Sequence, residues 1–128
     1  VKFSARKSYF FYPDVNGNLD LPEADRLSVE IIRPTAEDCG SISYVEVSNV
    51  KDAGSYRYKF DAKSILNRCI GEIKNLEVED EEQPEKTRLI KSGKELAKES
   101  FYGMSSLVDT ICTEVCRDSL TDTQKKIS

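Results

Sequence analysis

Apolar and polar positions alternate along the first 60 residues and then change to spacings of three and four. Ser8-Tyr9-Phe10-Phe11-Tyr12 is aromatic and β-prone. Pro13-Asp14 and Asn16-Gly17-Asn18 supply turn chemistry, because Gly and Asn tolerate positive φ. Leu27-Ser28-Val29-Glu30-Ile31-Ile32-Arg33 ends at Pro34, and its alternation puts Leu27, Val29 and Ile31 on one face. Ile42 to Val47 alternates with apolar character on both faces. Ser55 to Phe60 places Tyr56, Tyr58 and Phe60 on one side, and Lys51-Asp52-Ala53-Gly54 reads as the hairpin turn between these two strands.

Asp61 has the short acceptor side chain of a helix N-cap. Behind it Ile65, Leu66, Cys69, Ile70 and Ile73 form one helical stripe, which predicts a helix over 61–76. Ser92-Gly93-Lys94-Glu95 is a capping box opening a short helix to about Ser100. Gly103 interrupts, and then Met104, Leu107, Val108, Ile111, Cys112 and Val115 give the clearest amphipathic pattern in the chain. Thr121-Asp122-Thr123-Gln124 offers one more cap before a polar tail. The expectation is a single α+β domain over 1–128. It comprises a β-rich part (1–60) forming an N-terminal antiparallel meander, a helix (61–76), an acidic loop (77–88) and a helical part (89–128) whose helices cover one face of the meander or bundle beside it.

Charge changes the picture at one place. Between Glu77 and Arg88 there are six acids and two bases, so this segment carries the whole net charge of −4 and the remainder is neutral. Such a run does not pack in a core and reads as a solvated loop, with an acidic docking strip or a cation site as the functional alternatives. With 19 Lys+Arg against 23 Asp+Glu and a pI near 5.0, a basic nucleic-acid domain is not expected. Lys7 beside Tyr9 to Tyr12 has the makings of a stacking surface, but strand patterning is the simpler reading.

The chain contains no histidine, which removes the Ser-His-Asp triad, the Cys-His dyad and His-ligated zinc. No P-loop or dinucleotide glycine motif is present. Asp14, Asn16, Asn18 and Asp20 alternate like ligands of a calcium loop, but Leu19 stands where an EF-hand needs Gly, so a plain turn is the reading. Cys112 and Cys116 lack the C-x-x-C spacing of zinc and redox sites, and Cys69 and Cys112 fall in apolar stripes, so the four thiols read as packing groups. No catalytic residue, metal or cofactor is expected. No run of about 18 apolar residues is present to span a membrane, and Val1 to Arg6 lacks the apolar stretch of a signal peptide. The expected location is a reducing cytoplasm.

Two stretches carry a family resemblance. The first is Phe11-Tyr12-Pro13-Asp14 through Asn18, Leu21-Pro22-Glu23, Leu27 to Glu30 and Arg33 to Glu37. The second is Ile70 to Val78, the acidic gap, Ile90 to Leu96, Leu107 to Ile111, Ser119 to Asp122 and Gln124-Lys125-Lys126. This order resembles small proteins encoded among the tail genes of tailed bacteriophages and prophages, taken as tail assembly chaperones or minor virion proteins. The resemblance implies a non-enzymatic protein of the bacterial host cytoplasm that binds other tail proteins, such as the long helical tape-measure protein or tube subunits. The alternative it carries is a structural virion component, meaning a tube, connector or completion protein. A homo-oligomer remains open, and neither nucleic acid nor membrane is expected as a partner. The candidate partner surfaces are the tyrosine face (Tyr56, Tyr58) and the helical stripe Met104, Leu107, Val108, Ile111 and Val115, since a partner helix needs an apolar face to cover, while strand and helix patterning of this kind more often marks intramolecular core.

Overall fold

The computed structural model describes residues 1–3, 5–47 and 56–117, and the backbone alone for 43–47 and 56–59. Alternation fixes the first strands. Strand β1 (Ser8–Phe11) pairs antiparallel with β2 (Ser28–Ile32), with Tyr9 opposite Ile31 and Phe11 opposite Val29. Val29 and Ile31 are fully buried, as the period of two requires of a half-buried strand.

Helix α1 (Ala36–Ile42) follows, where the sequence reading expected none. Its start is specified by Thr35 and Asp38. The Asp38 backbone N–H donates to Thr35 Oγ1 (3.3 Å), and Asp38 Oδ2 accepts from Thr35 N (3.0 Å). That is a capping box with Asp in the place of Glu. Strands β3 (Ser43–Val47) and β4 (Tyr56–Phe60) then pair as the expected hairpin, from Ser43 opposite Phe60 to Val47 opposite Tyr56. They make a sheet of their own rather than extending a meander. The expected turn at Lys51 to Gly54 and the cap at Thr121 lie outside the described residues.

The helix expected over 61–76 is shorter, and the rest of that span is strand. Helix α2 (Ala62–Arg68) begins at Asp61, whose carboxylate accepts from Ser64 N (3.1 Å), and it ends at Cys69. Strand β5 (Ile70–Glu79) takes over. It pairs with β2 on one side and, on the other, with β6 (Thr87–Ser92), giving the antiparallel order β1-β2-β5-β6. Both ends of the expected acidic loop (77–79 and 87–88) are therefore paired strand, and the first residues of the expected helical part (89–92) are β6.

The physical reason is a pair of irregularities in β5. Three residues of β2 (Val29 to Ile31) span four of β5 (Ile73 to Ile70), and three of β6 (Ser92 to Ile90) span five (Glu72 to Leu76). Extra residues on a bulged strand change which side chains point inward. Ile70, Ile73 and Leu76 are thus all buried at a spacing of three, which imitates a helix.

Helix α3 (Gly93–Glu99) starts at the expected cap: Glu95 N donates to Ser92 Oγ (3.2 Å), and Glu95 Oε2 reaches back to accept from Lys91 N (2.9 Å). A 3-10 turn (Tyr102–Met104) leads into helix α4 (Ser105–Arg117). Helices α2, α3 and α4 pack together over one face of the sheet, and Tyr9 of β1 donates its hydroxyl to Glu114 of α4 (2.9 Å). Leu107, Ile111 and Val115 are buried there, each contributing about 1.5–3 kcal/mol by leaving water. The opposite sheet face carries Phe10 with Lys74, whose ammonium sits 4.6 Å from the ring centroid, and the exposed Ile32.

Candidate functional site

The helical stripe proposed for a partner is not on the surface. Met104, Leu107, Ile111 and Val115 are all buried, and Val108 packs partly buried against the same core. The stripe is covered by the molecule's own sheet and helices, so that expectation is corrected. An amphipathic face buries whichever apolar surface it meets first, and here this belongs to the same chain. Tyr56 and Tyr58 lie in β4, and their side chains are outside the described residues.

A broad concavity lies elsewhere, at the end of the sheet, with a volume of about 1420 Å³. Three segments build it. One wall is the connection between β1 and β2. This loop is locked from within by Asn18, a buried side chain. Its Nδ2 donates to the carbonyls of Pro13 (2.9 Å) and Leu27 (3.0 Å), and its Oδ1 accepts from Leu27 N (2.7 Å). Asn16 and Gly17 provide the turn before it, with φ of 47° and 73°. Asn18 thus commits its amide to the backbone of its own loop, and the alternating Asp/Asn run is a turn. Arg26 holds the same loop through the carbonyls of Leu21 (2.9 Å) and Leu19 (3.2 Å) and lies 5.4 Å from the Tyr12 ring centroid.

The second wall is the outer half of β5 and β6. Pairing of β5 with β2 ends at Lys74, but pairing with β6 runs on to Glu79 opposite Thr87. The hairpin therefore projects past the four-stranded sheet as a two-stranded ribbon. Asn75 stands at its base with φ 63° and donates to the carbonyls of Ala24 (3.1 Å) and Arg26 (2.9 Å), fastening the loop to the ribbon. At the tip, Asp80 Oδ1 accepts from the N–H groups of Glu82 (2.8 Å) and Gln83 (3.2 Å). The acidic run is thus an ordered turn carrying solvated carboxylates.

The back is formed by the 3-10 turn and the start of α4, with Phe101, Met104 and Leu107. Phe101 is 58% exposed, and the neighbouring Tyr102 is 93% exposed. Leu21 on the loop wall is 43% exposed. Leu27, Leu76 and Val78 add apolar groups to a lining that is otherwise largely polar. Six carboxylates line the cleft (Asp25, Glu77, Glu79, Asp80, Glu81 and Glu82) against one guanidinium, Arg88. Arg88 itself forms an ion pair with Glu99 of α3. Sequence reading found the acids but missed Leu21 and Phe101. Their signal was weak: an aromatic pair out of phase with the α4 stripe, beside Gly103, and a Leu in a polar loop.

The thiols behave as packing groups. Cys69 and Cys112 are buried and unpaired by disulfide, and Cys39 and Cys116 are half-buried. Burial, reinforced by neighbouring acidic groups, pushes the Cys69 thiol up to about 11 and the Cys112 thiol up to about 12. Burial also raises Cys116, with Cys39 adding to it. A thiol held protonated is a poor nucleophile. Asp38 moves the other way: its hydrogen bonds with the Thr35 N–H and hydroxyl, and Arg68 at 3.3 Å, hold its carboxyl below the usual range. Among the described residues no three of His, Cys, Asp and Glu converge as a metal set, and no helix is long and apolar enough to cross a membrane. No family model matches the chain, and no curated protein or solved structure matches it either.

Proposed function

We propose that this protein is a non-enzymatic tail assembly factor of a tailed bacteriophage or prophage, holding another tail protein, the tape-measure protein or a tube subunit, by protein–protein contact. The observation that carries the binding reading is the cleft. At about 1420 Å³ it exceeds the roughly 300–1,000 Å³ typical of small-molecule sites. Its apolar side chains stand in the open at Leu21 and Phe101. Its carboxylates are solvated at the rim. The assignment to phage tails rests on the sequence resemblance.

The test is co-expression of the full chain with a tape-measure fragment, followed by co-purification. A stable complex weakened at least tenfold by Leu21→Ser with Phe101→Ser is the expected result. A folded chain that leaves every tape-measure and tube fragment uncaptured would remove the proposal. Recovery of the chain from purified particles, without any complex beforehand, would replace it by a virion component.

A further inference from the structure

Resting on the binding reading, we propose that the cleft between the β1–β2 loop and the acidic β5–β6 ribbon docks a cationic amphipathic helix of another protein. Complementarity fixes the chemistry of the occupant. The cleft lining is mixed: Phe101 and Leu21 present exposed apolar side chains, Leu27 and Leu76 lie beneath them, and six carboxylates border the cleft. The one cation in that lining is already paired with Glu99. An apolar stripe with Lys or Arg on its flanks satisfies both surfaces at once, and an acidic or purely polar segment satisfies neither.

The size admits a helix. A helix about 11 Å wide, rising about 1.5 Å per residue, occupies roughly 140 Å³ per residue. A volume of about 1420 Å³ therefore has room for roughly ten residues, or three turns. The walls are built to keep this shape without an occupant. Asn18 and Asn75 tie the loop to its own backbone and to the ribbon, and Asp80 orders the tip. Because the carboxylates are exposed, their pull is screened by salt, so binding weakens as ionic strength rises.

The probes are three fluorescent twelve-residue peptides: a Leu/Lys sequence with helical amphipathic spacing, the same sequence with Glu for Lys, and a scrambled Leu/Lys sequence. Anisotropy with the full chain is expected to show the first bound at least tenfold more tightly than either of the others. The triple variant Glu79→Lys, Glu81→Lys, Glu82→Lys should weaken it at least tenfold. So should Phe101→Ser, with circular dichroism unchanged in both. Asp80 is left in place because it holds the turn. Equal binding of the scrambled peptide would reduce the ribbon to a plain polyanion and overturn the inference. Indifference to the triple variant would overturn it too, as would self-association of the chain that competes with the peptide. The two readings fail separately. If the Leu/Lys peptide binds and no tail protein does, the cleft stands and the tail assignment falls. If a tail protein binds equally well to the parent and to both variants, the reverse holds.

Discussion

Two glycines in this chain do different things, and the difference is set by what lies where a Cβ would be. At Gly93, the first residue of α3, an added Cβ would run into the carbonyl of Leu66 and come 2.6 Å from both the Cβ and the carbonyl oxygen of Ile70. Backbone cannot step aside without separating α3 from α2 and β5. At Gly71 the obstacle is the carboxyl end of Glu30, which can rotate away at the loss of its bond from Glu72 N (3.2 Å). Gly93→Ala is therefore expected to cost about 3 kcal/mol and Gly71→Ala about 1 kcal/mol or less, read from urea midpoints. Equal losses would show that the α3 approach is softer than drawn. Neither role was legible in the sequence, where Gly93 is simply the residue after a capping serine.

At the scale of elements, caps were the readable signal. Asp61 and Ser92 were found from residue type and spacing, and both accept the expected backbone N–H. Thr35-Ala36-Glu37-Asp38 carries the same signal but predicts no helix by itself, because a seven-residue helix between two strands has little periodicity to support it. Asp38 also makes this cap respond to pH. Its carboxyl titrates lower in the folded chain than in the unfolded one, so its contribution is complete above the ordinary carboxylate value. The contribution fades as pH falls through the depressed value. Following the Thr35 amide by NMR during acid titration should show α1 keeping its cap to a lower pH than a free aspartate would allow. Asp38→Asn should move that transition or abolish it, and an unchanged profile would remove Asp38 from the cap.

For the whole molecule the buried thiols set a second pH limit, on the alkaline side. Cys69 and Cys112 ionise near their ordinary value of 9.0 when unfolded but only near 11 and 12 when folded. The folded chain therefore holds protons that the unfolded chain has released, and stability falls as pH rises from about 9 toward those values. Urea midpoints should drop across this window. Cys69→Ala with Cys112→Ala should flatten the drop, although it costs packing. A flat profile in the parent chain would mean that these thiols meet water in the native state.

The α+β class, the first two strands, the β3–β4 hairpin, two helix caps and the amphipathic α4 were all determined by local sequence, because period, turn residues and caps act within a few positions of one another. Only tertiary structure decided that Ile70 to Glu79 is a strand, since its bulges displace the apolar spacing from two to three and pairing with β2 and β6 outweighs local preference. It also decided that the Met104 to Val115 stripe is core rather than docking surface. A helix face is equally apolar whether its own sheet or a stranger covers it, and only the position of the sheet tells the two apart. The cleft is of the same kind: Leu21, Leu76 and Phe101 are far apart in the chain and meet only because Asn18 and Asn75 hold one loop against one ribbon.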